Sequence, residues 1–422
     1  MTTGADTTAC PAPTASVSRL WRTAAVFGPG LLVMLADTDV GSVITAGQSG
    51  VQWGYRLLLL QVVLVPVLFV VQELTVRLAL VTGRGHGELI QDHFGRFWAI
   101  VSVSGLAVAC AGALLTEFSG VAGVGEIYGI PRAVSLSLAA AALLAVVLTG
   151  SYRRVESIAI AVGLFEFAFF FVAYYAHPSV VEVGRQMIDI PFANKDYLYL
   201  AAANIGAVIM PWMIFYQQSA LADKRLGPEH LTISRIDTAL GALVTQLVMA
   251  AVLVACAATI GHARPDATLS TVGEMSQALT PFLGETVGRV VFSLGVLGAG
   301  MVAAIVVSLA LAWGVGEVTG YSRSLEMHPL RARWFYGVYC LAIIAGAVLV
   351  CAWPDLVAMN IAVQVMNALL LPLVIGFLIA LAIKALPEPY RLKGVYLWFV
   401  IAIATATTAL GVFGGLQGAG LL

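Results

Sequence analysis

Charged positions in this chain come in short clusters, and between them lie apolar blocks about as long as a bilayer is thick. About 20 apolar residues cross the hydrocarbon core as a helix. Eleven blocks reach that length, at roughly 24–48, 56–82, 98–126, 132–150, 156–177, 196–220, 234–260, 285–315, 332–352, 356–384 and 394–416. Several are rich in glycine, as packed membrane helices often are. No stretch between them is long enough for a soluble domain. The pattern predicts an all-α polytopic membrane protein with eleven transmembrane helices, forming one integral membrane domain over 23–422 behind a tail of residues 1–22.

Composition agrees. Of 422 residues, 60% are hydrophobic and 11% charged, where a soluble domain carries roughly a quarter charged. A net charge of −1 gives no general pull toward nucleic acid. The five cysteines, Cys10, Cys110, Cys256, Cys340 and Cys351, are scattered without disulfide or metal-ligand spacing and read as small buried hydrophobes. The tail MTTGADTTACPAPTASVSRLWR has no basic stretch ahead of the first apolar block, so it reads as a disordered tail and not as a cleaved signal peptide. With the N-terminus in the cytoplasm, fifteen of the 22 lysines and arginines fall on inner segments and six on outer ones. That bias places the N-terminus inside and the C-terminus outside, in a plasma membrane or cell inner membrane. The chain has no Ser/His/Asp set, HExxH or phosphate loop, so it is not read as an enzyme, and neither a cofactor nor an obligate protein partner is expected.

Two spans are unsuited to run unbroken. Span 1 holds GPGLLVMLADTDVGSVITAG, with Asp37 and Asp39 at mid-membrane. An intramembrane aspartate costs about 2.5–3.5 kcal/mol on insertion scales, so two of them need a cation, water or donors. Span 6 holds AAANIGAVIMPWMIFYQQSA, where Pro211 removes a backbone donor and frees carbonyls near Ala207. Irregular backbone at membrane depth lines a cavity or is buried in protein. Interrupted segments at matching places in two halves point to a transporter site. Spans 1 and 6 open two five-span halves, about 24–177 and 196–384, with span 11 (about 394–416) added. That is the plan of an inverted five-plus-five repeat.

Five dispersed, ordered segments then resemble the Nramp divalent-metal transporters over nearly the whole chain. DVGSVITAGQSGVQWGY from Asp39 is similar to the first helix of that family, which carries Asp-Pro-Gly-Asn, and QELTVRLALVTGRG from Gln72 is similar to the second. SYRRVES from Ser151 resembles the loop before the fifth helix, and SRIDTAL from Ser234 the start of the seventh. MP within span 6 resembles the family's Met-Pro, although the QQSAL that follows needs one extra residue near Met213 to match. The closest likeness is to the bacterial NRAMP-related magnesium transporters. The resemblance implies a LeuT-like fold with helices 1 and 6 broken around a transported divalent ion. It implies Asp39 as the metal-binding carboxylate, the Ala36 carbonyl facing the ion, Ser42 in place of the family's asparagine ligand, Ala207 as a carbonyl ligand, Met210 as a thioether ligand and Gln364 as a glutamine that closes on the ion. Asp-Pro-Gly-Asn has become Asp39-Val40-Gly41-Ser42, and the histidine after Met-Pro has become Trp212. Of the two acids the family uses for the proton, Glu117 matches one and Leu114 stands at the other, which thins the proton route.

The residues leave the metal open. None of the six histidines lies mid-span, where a zinc or iron site commonly uses imidazole. A carboxylate, a hydroxyl, carbonyls and a carboxamide suit Mg²⁺ or Mn²⁺, and the small Ser42 leaves room for the waters Mg²⁺ keeps. Met210 pulls the other way, toward softer ions. The expectation is therefore a secondary transporter for Mg²⁺ that also takes Mn²⁺, without tight proton coupling. The alternative is a proton-coupled Mn²⁺/Fe²⁺ importer. Asp37 either faces the aqueous vestibule or joins the ligands, Glu166 hydrogen-bonds a neighbouring helix, and Glu73 with Arg77 forms a pair on one helix face.

Overall fold

A computed structural model describes residue 33, residues 36–149, residue 161 and residues 167–264, 268–325, 327–353 and 355–422. The tail, SYRRVES and Glu166 lie outside the described residues. Among the described residues all regular structure is helical. In chain order the elements used below are α1 (Val40–Trp53), α2 (Leu58–Thr82), α3 (His86–Phe94), α4 (Arg96–Ile127), α5 (Arg132–Val147), α6 (Ala168–Tyr175), α7 (Val180–Ile188), α8 (Lys195–Val208), α9 (Pro211–Asp223), α10 (Leu231–Cys256), α11 (Glu285–Thr319), α12 (Arg333–Cys351), α13 (Leu356–Lys384) and α14 (Gly394–Gly418). Among the described residues, eight stretches are long and apolar enough to cross a membrane, with α8 and α9 counted as one stretch, and α5 is a shorter apolar helix. The predicted blocks 2, 3, 7, 8, 9, 10 and 11 coincide with α2, α4, α10, α11, α12, α13 and α14 to within a few residues.

Sequence explains where the long helices stop. α2 is a run of Leu and Val that ends on Gly83, whose left-handed backbone (φ 65°) lets its N–H return to the Ala79 carbonyl at 2.8 Å. α11 ends the same way on Gly320. α4 and α11 pack extensively on each other, α8 packs against α13 and α14, and α10 packs against α1 and α2. Glycines along these seams let backbones approach closely. At Gly206 in α8, the carbonyl of Gln364 in α13 occupies the place a Cβ would take.

Polar contacts pin the ends of the bundle. Glu73 and Arg77 do form the expected pair, at 2.7 Å, and the buried Glu73 carboxylate also takes Arg235 of α10 at 2.7 Å and the Tyr396 hydroxyl of α14 at 3.4 Å. One acid thus ties three helices, which i,i+4 spacing alone did not foretell. At the opposite end of α1, Gln186 of α7 accepts the Tyr55 N–H at 2.9 Å, and Arg56 pairs with Asp189 at 2.9 Å.

Candidate metal site

Both predicted breaks are present. Ala36 and Asp37 are helical, Thr38 bends, and Asp39 is extended (φ −67°, ψ 171°) before α1 begins. Asp39 caps α1, its Oδ1 accepting the Ser42 N–H at 2.6 Å and its carbonyl the Val43 N–H at 2.9 Å. Aspartate is among the best cap residues because its oxygen meets an N–H that the first turn leaves free. The second break lies between α8 and α9, where Met210 is extended (φ −98°, ψ 138°) and Pro211 opens α9. In a continuous helix the Ala207 carbonyl would receive the N–H of residue 211. Proline has none. The freed carbonyl is met instead by the Ser42 hydroxyl, which donates to it at 3.0 Å. One hydrogen bond therefore joins the two breaks.

All six predicted ligand residues are buried: Ala36, Asp39, Ser42, Ala207, Met210 and Gln364. Asp39 and Ser42 meet at the first break and Ala207 comes to them from the second. Gln364 of α13 lies against Gly41, where an added Cβ would run into its Nε2. Its Oε1 accepts the Asn367 Nδ2 at 3.0 Å, while Nε2 has no partner. Met210 caps α9 poorly: its N–H donates to Met213 Sδ at 3.5 Å, and its own Sδ accepts the Trp212 indole N–H at 3.3 Å. Trp212 thus engages the thioether that the resemblance assigns to the ion.

Two carboxyl groups lie at the first break and a third borders it. Asp39 Oδ2 and both oxygens of Asp37 are buried without a hydrogen-bond donor. Glu117 of α4 lies beside Asp39, its Oε2 accepting the Val40 N–H at 3.2 Å and its Oε1 the Thr116 hydroxyl at 3.1 Å. Leu114, one turn away, is buried and apolar. No Lys or Arg ion pair reaches Asp37, Asp39 or Glu117 among the described residues. Nor, among them, do three or more His, Cys, Asp or Glu residues form a ready metal cluster. An ion held here would need carbonyl, hydroxyl, carboxamide or thioether donors as well. Sequence reasoning did not single out Thr116 or give Asp37 its place beside the cap. The first carries no signal beyond being next to Glu117. The second was visible as a second acid in one short segment.

The Nramp family, described as natural resistance-associated macrophage protein-like, matches residues 30–417. The chain belongs to that family. It is 28% identical over 310 residues to a divalent metal cation transporter MntH from Brucella suis, an overlap of 70% of this chain and 67% of the relative. Among solved structures, the manganese transporter of Eremococcus coleocola superposes with a TM-score of 0.74 at 18% identity, covering 96% of this chain and 89% of that one. MHP1, a nucleobase-cation-symport-1 family transporter, follows at a TM-score of 0.63 and 13% identity, covering 93% of this chain and 90% of that one. The fold is thus the LeuT-like one of Nramp proteins, with its first and sixth helices broken, and the chain is a multi-pass membrane protein.

Proposed function

We propose that this Nramp chain is a secondary transporter that moves divalent metal ions, Mn²⁺ foremost, through the site at the two breaks by alternating access. The carrying observation is the set of buried carboxylate oxygens on Asp37 and Asp39 that no donor meets. An unpaired buried carboxylate is costly, and a cation is its natural complement. Asp39 would ligate through Oδ2, with the Ala36 and Ala207 carbonyls, Ser42 and Met210 contributing. Gln364 would join by turning its carboxamide over, so that Oε1 leaves Asn367 and replaces Nε2 beside Gly41. The lipid bilayer and the ion are the partners this reading requires. The positive-inside count supports a cytoplasmic N-terminus.

Sequence alone put Mg²⁺ first. The named relatives carry manganese or divalent cations, and a soft thioether at the break favours Mn²⁺ over Mg²⁺. The order is therefore reversed here. Mg²⁺ remains as a second reading because Ser42 Oγ is committed to the Ala207 carbonyl and Met210 Sδ to Trp212. Both engagements reduce direct ligands and suit an ion that keeps its waters. Uptake of Mn²⁺, Mg²⁺ and Ca²⁺ into proteoliposomes, with a pH dye inside, tests the proposal. Mn²⁺ uptake that Mg²⁺ does not compete away supports it. Mg²⁺ uptake with Mn²⁺ excluded refutes the order, and full uptake by Asp39→Ala refutes the site.

A further inference from the structure

Half-helix α9 runs from the break at Pro211 to a second cluster of buried polar groups about 12 Å farther along its axis at the helical rise. There Ser219 is buried and its hydroxyl donates to Glu317 Oε1 of α11 at 2.5 Å. The other oxygen of Glu317 accepts the Gly87 N–H at 2.7 Å. Gly87 is the second residue of α3, whose first N–H groups have no partner within the helix. Glu317 therefore serves as an N-cap for α3 from another helix. The local sequence permits this because Gly85 and Gly87 have no side chains: a Cβ on Gly85 would sit in the Glu317 carboxylate, and one on Gly87 would lie 3.0 Å from its Oε2. Gly85 has an ordinary backbone (φ −73°), so space and not conformation requires the glycine.

Gln218, the neighbour of Ser219 on α9, adds a second tie. Its Nε2 donates to the Arg84 carbonyl at 3.0 Å, and its Oε1 pairs with His86 Nδ1 at 3.0 Å. Beside the ties lies a polar cavity of about 350 Å³, lined by Arg84, Glu88, Ser219, Asp223, Trp313 and Glu317. Arg323 holds Glu88 at its rim by an ion pair. The Trp313 indole N–H is buried without a partner, which fits a wet cavity.

We propose that Glu317 is the latch of this mouth of the transport route, holding α9 to the start of α3 through Ser219 until α9 swings away and opens the cavity to the metal site. The inference rests on the alternating-access reading above. α9 carries Met210 at its start, so any movement that releases the ion's ligands there displaces Ser219 at its far end. α3 and α11 are unbroken helices and form the fixed side of the latch. The ion needs a way past this end, and the ties at Glu317 and Gln218 are what close it.

The test places a reporter at Ala220→Cys, buried on α9, in a chain whose five native cysteines are serine. Its modification by a membrane-impermeant maleimide is timed in vesicles of both orientations. Glu317→Ala and Gly85→Ala each raise the rate tenfold or more from the α3 side, Ser219→Ala raises it severalfold, and Glu317→Gln falls between because its amide oxygen still accepts one bond. Rates within twofold of the parent for Ser219→Ala and Gly85→Ala, in protein that elutes as the parent does on gel filtration, overturn the latch even if Glu317→Ala fails to fold. Mn²⁺ uptake by the parent is scored separately. Labelling that responds while uptake is absent sinks the transport reading and keeps the latch, and uptake with unchanged labelling does the reverse.

Discussion

Two glycines flank Gln364, and replacing each by alanine separates the site from the scaffold. At Gly41 the new Cβ would run into Gln364 Nε2, with Thr116 Cβ at 3.3 Å. The obstructing Nε2 has no hydrogen bond of its own and ends a flexible side chain held only through Oε1 by Asn367. Gly41 also sits in the first turn of α1, where alanine gains up to about 1 kcal/mol over glycine. Stability of Gly41→Ala is expected within about 1 kcal/mol of the parent, a gain in helix propensity offsetting the crowding. The carboxamide, however, is displaced from its seat beside Gly41. Apparent KM for Mn²⁺ is expected to rise about tenfold or more, which equals about 1.4 kcal/mol of lost binding. At Gly206 the Cβ would meet the Gln364 carbonyl and lie 2.7 Å from the Ala368 nitrogen. Backbone in the middle of a packed helix has nowhere to go. Overpacking costs typically about 1–3 kcal/mol, and a rigid obstacle belongs at the upper end, so Gly206→Ala loses about 2 kcal/mol net of its propensity gain. Thermal unfolding in detergent and proteoliposome uptake read the two effects apart. Gly41→Ala with parental KM would refute the role of Gln364 at this seat, and Gly206→Ala as stable as the parent would refute the close approach of α8 and α13.

Asp39→Asn retains a good helix cap, so its melting temperature stays near the parent's, while Mn²⁺ uptake falls at least a hundredfold in the same vesicles. Trp212→Phe keeps the ring but removes the donor to Met210 Sδ; the ratio of Mn²⁺ to Ca²⁺ uptake is expected to change severalfold, and an unchanged ratio means the indole does not govern the thioether. His86 lies outside the spans, fully buried, and burial pulls its pKa down to about 4, against a smaller upward effect of its bond to Gln218. The unfolded chain takes up that proton near pH 6.5 and the folded chain does not, so stability is untouched above pH 7 and falls by roughly 3 kcal/mol between pH 6.5 and pH 4. His86→Asn should flatten that part of the melting-temperature profile, and an unaltered slope would assign it to other groups. Glu117→Gln should leave Mn²⁺ uptake measurable while reducing the proton movement the pH dye reports, and a parental dye signal would remove Glu117 from the proton route.

The helices were legible because lipid demands long apolar blocks with charges between them, and the breaks because two aspartates and Pro211 fall at matching places of the two halves; proline alone is no such signal, since Pro66 and Pro372 sit inside continuous α2 and α13. The pairing across the breaks was not legible. Ser42 reaches the Ala207 carbonyl over 165 positions of chain, and no local pattern encodes such a distance. The same holds for Glu317, which reads as an ordinary helix-end acid until the fold lays Gly85 and Gly87 against it. Block lengths also did not mark where α10 passes into a π-helical turn at Ala257–Gly261, which presses close to Gly50 and Val51 of α1. Met210 was legible as a candidate donor, but its capture by Trp212 depends on side-chain packing within the break.

The charges at the first break bear on the proton question that the missing acid at Leu114 raised. Helix ends carry partial charge, positive at N-termini and negative at C-termini. A cation between the halves would be drawn to the C-terminal carbonyls near Ala36 and Ala207 and repelled by the N-termini of α1 and α9. Asp39 deals with the first repulsion by splitting its oxygens: Oδ1 caps α1 while Oδ2 has no donor. Met210 provides no comparable cap for α9, since sulfur is a weak acceptor and its own N–H is already turned to Met213. The negative charge available near the breaks lies on carboxyl groups. Three of them, Asp37, Asp39 and Glu117, are buried with no cationic side chain paired to them among the described residues. A divalent ion balances two of these charges. Burying the third as an anion is expensive, so the arrangement of lowest charge would be a dication with one of the three carboxyls protonated. Glu117 lies beside Asp39, so a proton on its carboxyl can be shared with that aspartate. On this charge balance a single acid at this position would be enough to tie proton occupancy to metal occupancy, which is what the Glu117→Gln dye measurement tests.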